Sequence, residues 1–176
     1  SAFLVNKKRN KMIVVYHIIN DGWIYPGGHA DGDDNLLSVA VREVEEETGL
    51  KAKILDENIY AIQSAPVKGH IKSGKYVSSH IHFDVLYLME ADDRIPLKYK
   101  ENESKGVKWI SFEEADDKTM CDFIRPIHKK IIEKLNEIKI EENKLLPNLE
   151  QNQEVIKKKI NPKQSFTEPP ARYTEA

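Results

Sequence analysis

Apolar positions fall along the chain in two rhythms. "AFLV" and "MIVVYHII" are β-branched and aromatic runs on either side of the polar "NKKRNK". They predict two strands joined by a turn. "NDG" breaks the second strand, and "WIYPGG" is a short extended piece ended by Pro26 and two glycines. The rhythm then changes. Leu37, Val41 and Val44 recur at helical spacing and make one apolar face. Asp33 or Asp34 is placed to cap the start of that helix, and Gly49 to close its end. Further strand-like stretches follow at "AKIL", "IYAIQSA", "YVSSHIHFDVLYLME" and "GVKWISF". "VKGHIKSGK" reads as a mobile hairpin loop. From Asp122 to about Ile138 the helical period returns, with Phe123, Ile127, Ile131 and Leu135 four apart. Pro126 falls in its first turn, where a missing N–H does little harm. Beyond about residue 140 the periodicity fades, four prolines appear, and large apolar residues become few. A domain boundary is placed there, giving a domain over 1–140 and an appended flexible tail over 141–176.

Composition narrows the picture. A chain of 176 residues suits one domain with a sizeable core. Charged residues reach 32%, yet the net charge is only −2, so no nucleic-acid or membrane-surface partner is expected. No apolar run is long enough to span a bilayer. Cys121 is the single cysteine, which excludes an intrachain disulfide and fits a reducing, cytoplasmic setting. The chain begins at Ser1 and reads directly as a strand, as expected of a fragment.

The densest chemistry lies in "GGHADGDDNLLSVAVREVEEETGL", residues 27–50. Glu43, Glu46 and Glu47 share one helix face, while Glu45 points elsewhere. Like charges at such spacing repel by roughly 0.2–0.5 kcal/mol per pair, and the helix dipole disfavours anions in the last turns. Arg42 offsets part of this. A hard divalent cation would offset more, since Mg²⁺ takes a few carboxylates together with phosphate oxygens and water. A solvated acidic face is the other reading.

The spacing of the whole stretch resembles the Nudix box, G-x5-E-x7-R-E-U-x-E-E-x-G-U with U aliphatic. Gly28, Asp34 and the run Arg42 to Leu50 fall in register, with Asp34 standing where the family has Glu. The resemblance extends over about residues 1–140, including "VKWISFEEA". It implies an α/β fold, the Nudix α/β/α sandwich with a mixed β-sheet between helices. It also implies hydrolysis of a pyrophosphate bond in a nucleoside diphosphate linked to another group, such as an oxidised nucleoside triphosphate, ADP-ribose or a nucleotide sugar. The cofactor implied is Mg²⁺ or Mn²⁺. By position, Glu43 and Glu47 are the main metal ligands and Glu46 a further one. A backbone carbonyl of Gly27 or Gly28 completes the set, and Arg42 orients Glu43. Asp34 supports the site from behind, caps the helix, or does both. The general base is Glu43 or a carboxylate in "KYKENESKGVKW", where Glu103 lies closer than Glu101 to the family's usual position. A Nudix-like sensor that binds nucleotide without hydrolysing it is the alternative, and a homodimer is a partner to consider.

Other residues are candidates for substrate contact. His29 follows the two glycines and is either a phosphate contact or a solvated loop residue. His80, His82 and Asp84 share one strand face by period two. Zinc is one reading, but a further ligand is not evident, so a polar face lining the substrate cleft is preferred. Tyr16, Trp23 and Tyr25 are core or rim aromatics, or a platform for a base. The tail's "FTEPPARYTEA" resembles a segment of bacterial type IA DNA topoisomerase. That family's nucleophilic tyrosine motif lies further on, so Tyr173 is not read as a nucleophile. No topoisomerase function is expected of the tail.

Overall fold

A computed structural model describes residues 1–72, 74–99, 101 and 104–140. Glu103 and the tail beyond residue 140 therefore lie outside the described residues. Two compact units are distinguished, Ser1–Lys134 and Leu135–Ala176, and the site lies wholly in the first.

The two leading strands form as their composition dictates. Strand β1 (Ala2–Asn6) and β2 (Lys11–His17) pair antiparallel, with Val5 opposite Met12. Asn6 builds the turn between them. Its side-chain oxygen accepts the N–H groups of Asn10 at 3.0 Å and Lys11 at 3.1 Å, while Arg9 takes the left-handed φ of 51°. Every residue of β1 is buried. That explains an unbroken apolar run rather than alternation, because both faces of the strand are covered.

The remaining strands are β3 (Gly22–Ile24), β4 (Lys53–Ile54), β5 (Ala61–Val67), β6 (His70–Lys72), β7 (Lys75–Val77), β8 (His80–Ala91) and β9 (Ser104–Ser111). The main sheet is mixed. It runs β3-β2-β1-β8-β4, with β5 added to β8 and β9 added to β2. Only β1 and β8 run parallel among these pairs, from Ala2 opposite Tyr87 to Asn6 opposite Ala91. The Ser1 nitrogen donates to the Val85 carbonyl at 3.0 Å, carrying that ladder slightly further. "VKGHIKSGK" falls where a hairpin is expected. The described residues from His70 to Val77 form β6 and β7, a separate antiparallel ribbon with His70 opposite Val77.

Two helices cover the sheet. Helix α1 (Leu36–Thr48) buries Val39, Ala40, Val44 and Thr48. Its stripe is thus centred on Ala40 and Val44, with Leu37 and Val41 at the flank against Leu4, Ile13 and Met89. The cap differs from expectation. Asn35, not Asp33 or Asp34, is the N-cap, and its side chain accepts the Ser38 N–H at 3.1 Å. Asp33 instead accepts the Asn35 N–H at 2.9 Å, which fixes the loop entering the cap. Gly49 closes the helix in the left-handed region at φ 70°, as its position predicts. A short 3₁₀ turn, Glu113–Asp116, follows β9. Helix α2 covers residues 125–140, with Pro126 in its first turn. Phe3 alternates with Ala2 and Leu4, and its ring meets His128 of α2 at 6.3 Å. The two helices therefore lie on opposite faces of β1.

His128 is wholly buried. Its Nδ1 lies 3.4 Å from the Ala115 carbonyl, which only accepts, so Nδ1 carries the proton. Its Nε2 has no partner. Burial pushes its pKa down to about 4. The unfolded chain binds a proton at the ordinary imidazole value, so stability is lost as pH falls from about 6.5 to about 4. Replacing His128 by Phe removes this slope. In denaturant titrations the variant should gain on the parent by about 3 kcal/mol between neutral pH and about pH 4. A constant difference across that range would show that His128 is not held neutral.

Candidate active site

The site begins with helical register. Glu43 and Glu47 are one turn apart on α1, and both are half-buried, whereas Glu45 and Glu46 are exposed. The loop after β3 runs beneath them. The Gly27 N–H donates to Glu47 Oε2 at 2.9 Å. The Glu43 carboxylate rests against Gly28 so closely that a Cβ there would fall 2.4 Å from its Oε2. Only glycine permits that approach. Arg42 Nη2 donates to Glu43 Oε1 at 3.1 Å. The arginine side chain is half exposed, so the pair is worth at most about 1 kcal/mol and mainly aims the carboxylate.

These donors are all oxygens, which matches the hard-ligand preference of Mg²⁺ or Mn²⁺. The glycine loop meets both carboxylates, Glu47 at the Gly27 N–H and Glu43 against Gly28. Among the described residues, no three His, Cys, Asp or Glu side chains gather closely enough to hold an ion by themselves. The donor chemistry fits Mg²⁺ or Mn²⁺, and two carboxylates would leave further ligands to be supplied from elsewhere. Asp34 is exposed and its carbonyl accepts the Leu36 N–H at 3.1 Å. Glu101 is exposed.

Gly27 and Gly28 also line a cavity of about 690 Å³. Its far wall comes from β8, where His80, His82 and Asp84 line it together with Ile81, Phe83 and Val85. β1 reaches only as far as Tyr87 along that strand, so the polar half of β8 keeps one edge clear of it. Tyr25 is 4% exposed and donates its hydroxyl to Asp84 Oδ2 at 2.6 Å. Burial, then the Asp84 charge, pushes the Tyr25 phenol above its ordinary value. Tyr25 is thus a wall residue whose hydroxyl is engaged. Tyr16 and Trp23 meet edge to face at 5.2 Å, and Lys108 lies over the Trp23 ring at 4.4 Å. Neither of those two aromatics lines the cavity.

The histidines converge more than the sequence suggests. His29 meets His82 at 4.9 Å between ring centroids, and His82 meets His80 at 4.8 Å. His17 from β2 and His70 from β6 join them in the lining. Period two along β8 could reveal only His80 and His82. His17 and His70 come from other strands, and no local pattern marks them.

A mixed sheet with two helices and a glycine loop packed on a carboxylate-bearing helix is the setting of the site. The chain belongs to the Nudix family: the pattern of the NUDIX domain matches residues 1–135. An RNA pyrophosphohydrolase from Pelagibacter ubique is 31% identical over 143 residues, covering 78% of this chain and 90% of that protein. The asymmetrical bis(5'-nucleosyl)-tetraphosphatase of Mus musculus is 30% identical over 95 residues, covering 53% of this chain and 58% of its own. Among solved structures, a Nudix-family hydrolase from Clostridium perfringens shares the fold at TM-score 0.57 and 20% identity. That match covers 77% of this chain and 95% of the other.

The Gly28 contact is directly testable. A methyl group there collides with the end of a flexible side chain, so the fold should survive and Glu43 should swing away. For Gly28→Ala we expect nucleotide turnover to fall about a hundredfold, the usual cost of a misplaced catalytic group, while stability changes by less than about 1 kcal/mol. Unchanged turnover would place Glu43 outside the chemistry.

Proposed function

We propose that this Nudix pyrophosphohydrolase acts on a nucleotide bearing a chain of three or more phosphates, with Mg²⁺ or Mn²⁺ held at α1. The observation that carries the reading is the pair Glu43 and Glu47, one turn apart, both reaching the Gly27–Gly28 loop that lines the cavity. Two relatives support the substrate class by name, one acting on RNA and one on a dinucleoside tetraphosphate. The net charge of −2 argues for a small nucleotide rather than a long nucleic acid.

In this reading Glu43 and Glu47 hold the cation, with Glu46 and a carbonyl of Gly27 or Gly28 as further ligands. A bound divalent ion supplies charge neutralisation at the phosphate oxygens and lowers the pKa of water. Arg42 fixes the direction of Glu43. The Gly27 N–H fixes Glu47, so the carboxylate meets the ion without reorganising. Asp34 acts from behind the site. Glu43 or the loop carboxylate Glu103 takes the proton of the attacking water, and Glu103 is assigned by position alone. The cavity admits the phosphate chain along the glycine loop, and His29, Tyr25 and His82 line its passage.

Glu47→Gln tests the assignment. The amide keeps an oxygen to accept the Gly27 N–H, so folding should be unaffected. Loss of a ligand charge worth several kcal/mol should lower Mg²⁺-dependent turnover by about a thousandfold. The panel should include nucleoside di- and triphosphates, dinucleoside polyphosphates, ADP-ribose, nucleotide sugars and a 5'-triphosphorylated RNA oligonucleotide. Undiminished hydrolysis by the variant would refute the metal assignment. Preferred turnover of diphosphate-linked compounds would refute the substrate class.

A further inference from the structure

Five of the six histidines in the chain line this cavity: His17, His29, His70, His80 and His82. No lysine or arginine appears among its described lining residues. An anionic ligand in this cavity therefore meets only conditional cations beyond the carboxylate end. The rings also form a file. It starts at His29, next to Gly28, and passes to His82 at 4.9 Å, to His80 at 4.8 Å and to His70 at 6.4 Å.

The tautomers follow from the hydrogen bonds. His70 Nδ1 lies 2.9 Å from the Lys68 carbonyl, and His80 Nδ1 lies 2.8 Å from the Ser78 carbonyl. A carbonyl only accepts, so both Nδ1 atoms carry protons. Neutral His70 and His80 therefore present a bare Nε2. His80 Nε2 lies 2.9 Å from His82 Nε2, so the single proton between them belongs to His82. A second proton cannot enter that N···N contact, and the pair must part to accept one. A phosphate oxygen placed between the rings would accept from both nitrogens and balance the added charge.

We propose that the imidazole file of His82, His80 and His70, with His17 beside it, holds the phosphates distal to the carboxylate end and takes up a proton as it does so. This deepens the reading of a polyphosphate substrate and rests on it for the ligand's chemistry. The groups facing the file are His29 from the glycine loop, Asp84 on β8, the Tyr25 hydroxyl and the Ser1 amino group. Burial, followed by the neighbouring imidazoles, holds His17 and His82 below the ordinary value. A transition-metal site is the competing use of bare imidazole nitrogens. The described side chains provide no group of three suited to an ion, which favours the anion.

The test is calorimetric and needs no turnover, so its failure is distinct from failure of the Glu47→Gln test. Inorganic tripolyphosphate is titrated into the full chain in metal-free buffers of different ionisation heat. The parent should take up about one proton per ligand near neutral pH, and its Kd should weaken about tenfold per pH unit above the linked pKa. His80→Gln/His82→Gln alters exposed or half-exposed side chains and should fold normally. It should lose that uptake and the pH dependence with it. No binding by the parent, no uptake, or equal uptake by the variant would overturn the proposal. So would binding of Zn²⁺ by the parent with no binding of tripolyphosphate.

Discussion

The closeness of one loop to one helix governs this molecule. The Gly27 N–H bonds Glu47, and Glu43 lies where a side chain on Gly28 would otherwise be. An N–H to a carboxylate contributes about 1.5–3 kcal/mol, more than most single hydrogen bonds. It holds two anions in the last turns of α1, where the helix dipole and their mutual repulsion both oppose them. Arg42 is too exposed to cancel that charge. The arrangement persists because the apolar stripe through Ala40 and Val44 anchors the helix on β1 and β8 independently of the carboxylates. Core packing thus keeps in place a charge pattern that local electrostatics would disperse.

Strand β8 links that core to the cavity. From Leu86 to Met89 it is buried and lies between β1 and its other neighbours. From His80 to Asp84 it lines the cavity, with His80, His82 and Asp84 supplying the polar side chains. The change comes where β1 ends, so one continuous strand contributes to both the hydrophobic core and the binding wall. Tyr25 ties the halves together, since its buried ring packs near His128 at 5.9 Å while its hydroxyl meets Asp84. Any shift of the polar half of β8 is therefore felt by the residues just before the glycine loop.

The stretch from Gly28 to Leu50 was legible because its constraints are local. Helical spacing sets which carboxylates are neighbours, and a left-handed C-terminus demands something like Gly49. The leading strands and the second helix were legible for the same reason, through unbroken apolar runs and a four-residue period. The capping residue was not. Asp33, Asp34 and Asn35 all have capping side chains, and the choice depends on where the packed stripe lets the helix begin. Tyr25–Asp84 spans 59 positions, and nothing in either neighbourhood announces it. The histidine file is harder still. Only its His80–His82 step obeys a strand period, while His17 and His70 arrive from β2 and β6 through the tertiary fold.

The cavity divides its charges by permanence. The glycine loop gathers carboxylates, whereas the opposite wall gathers imidazoles, the side-chain type whose charge is most readily switched by proton supply. Lysines or arginines along the wall would bind every phosphate in substrate and product alike. Such uniform binding lowers KM without raising kcat. Imidazoles that charge against an anion would give up much of that attraction once the phosphate leaves, since burial and neighbouring rings disfavour the charged form of His17 and His82. A wall built this way favours release of a cleaved phosphate fragment.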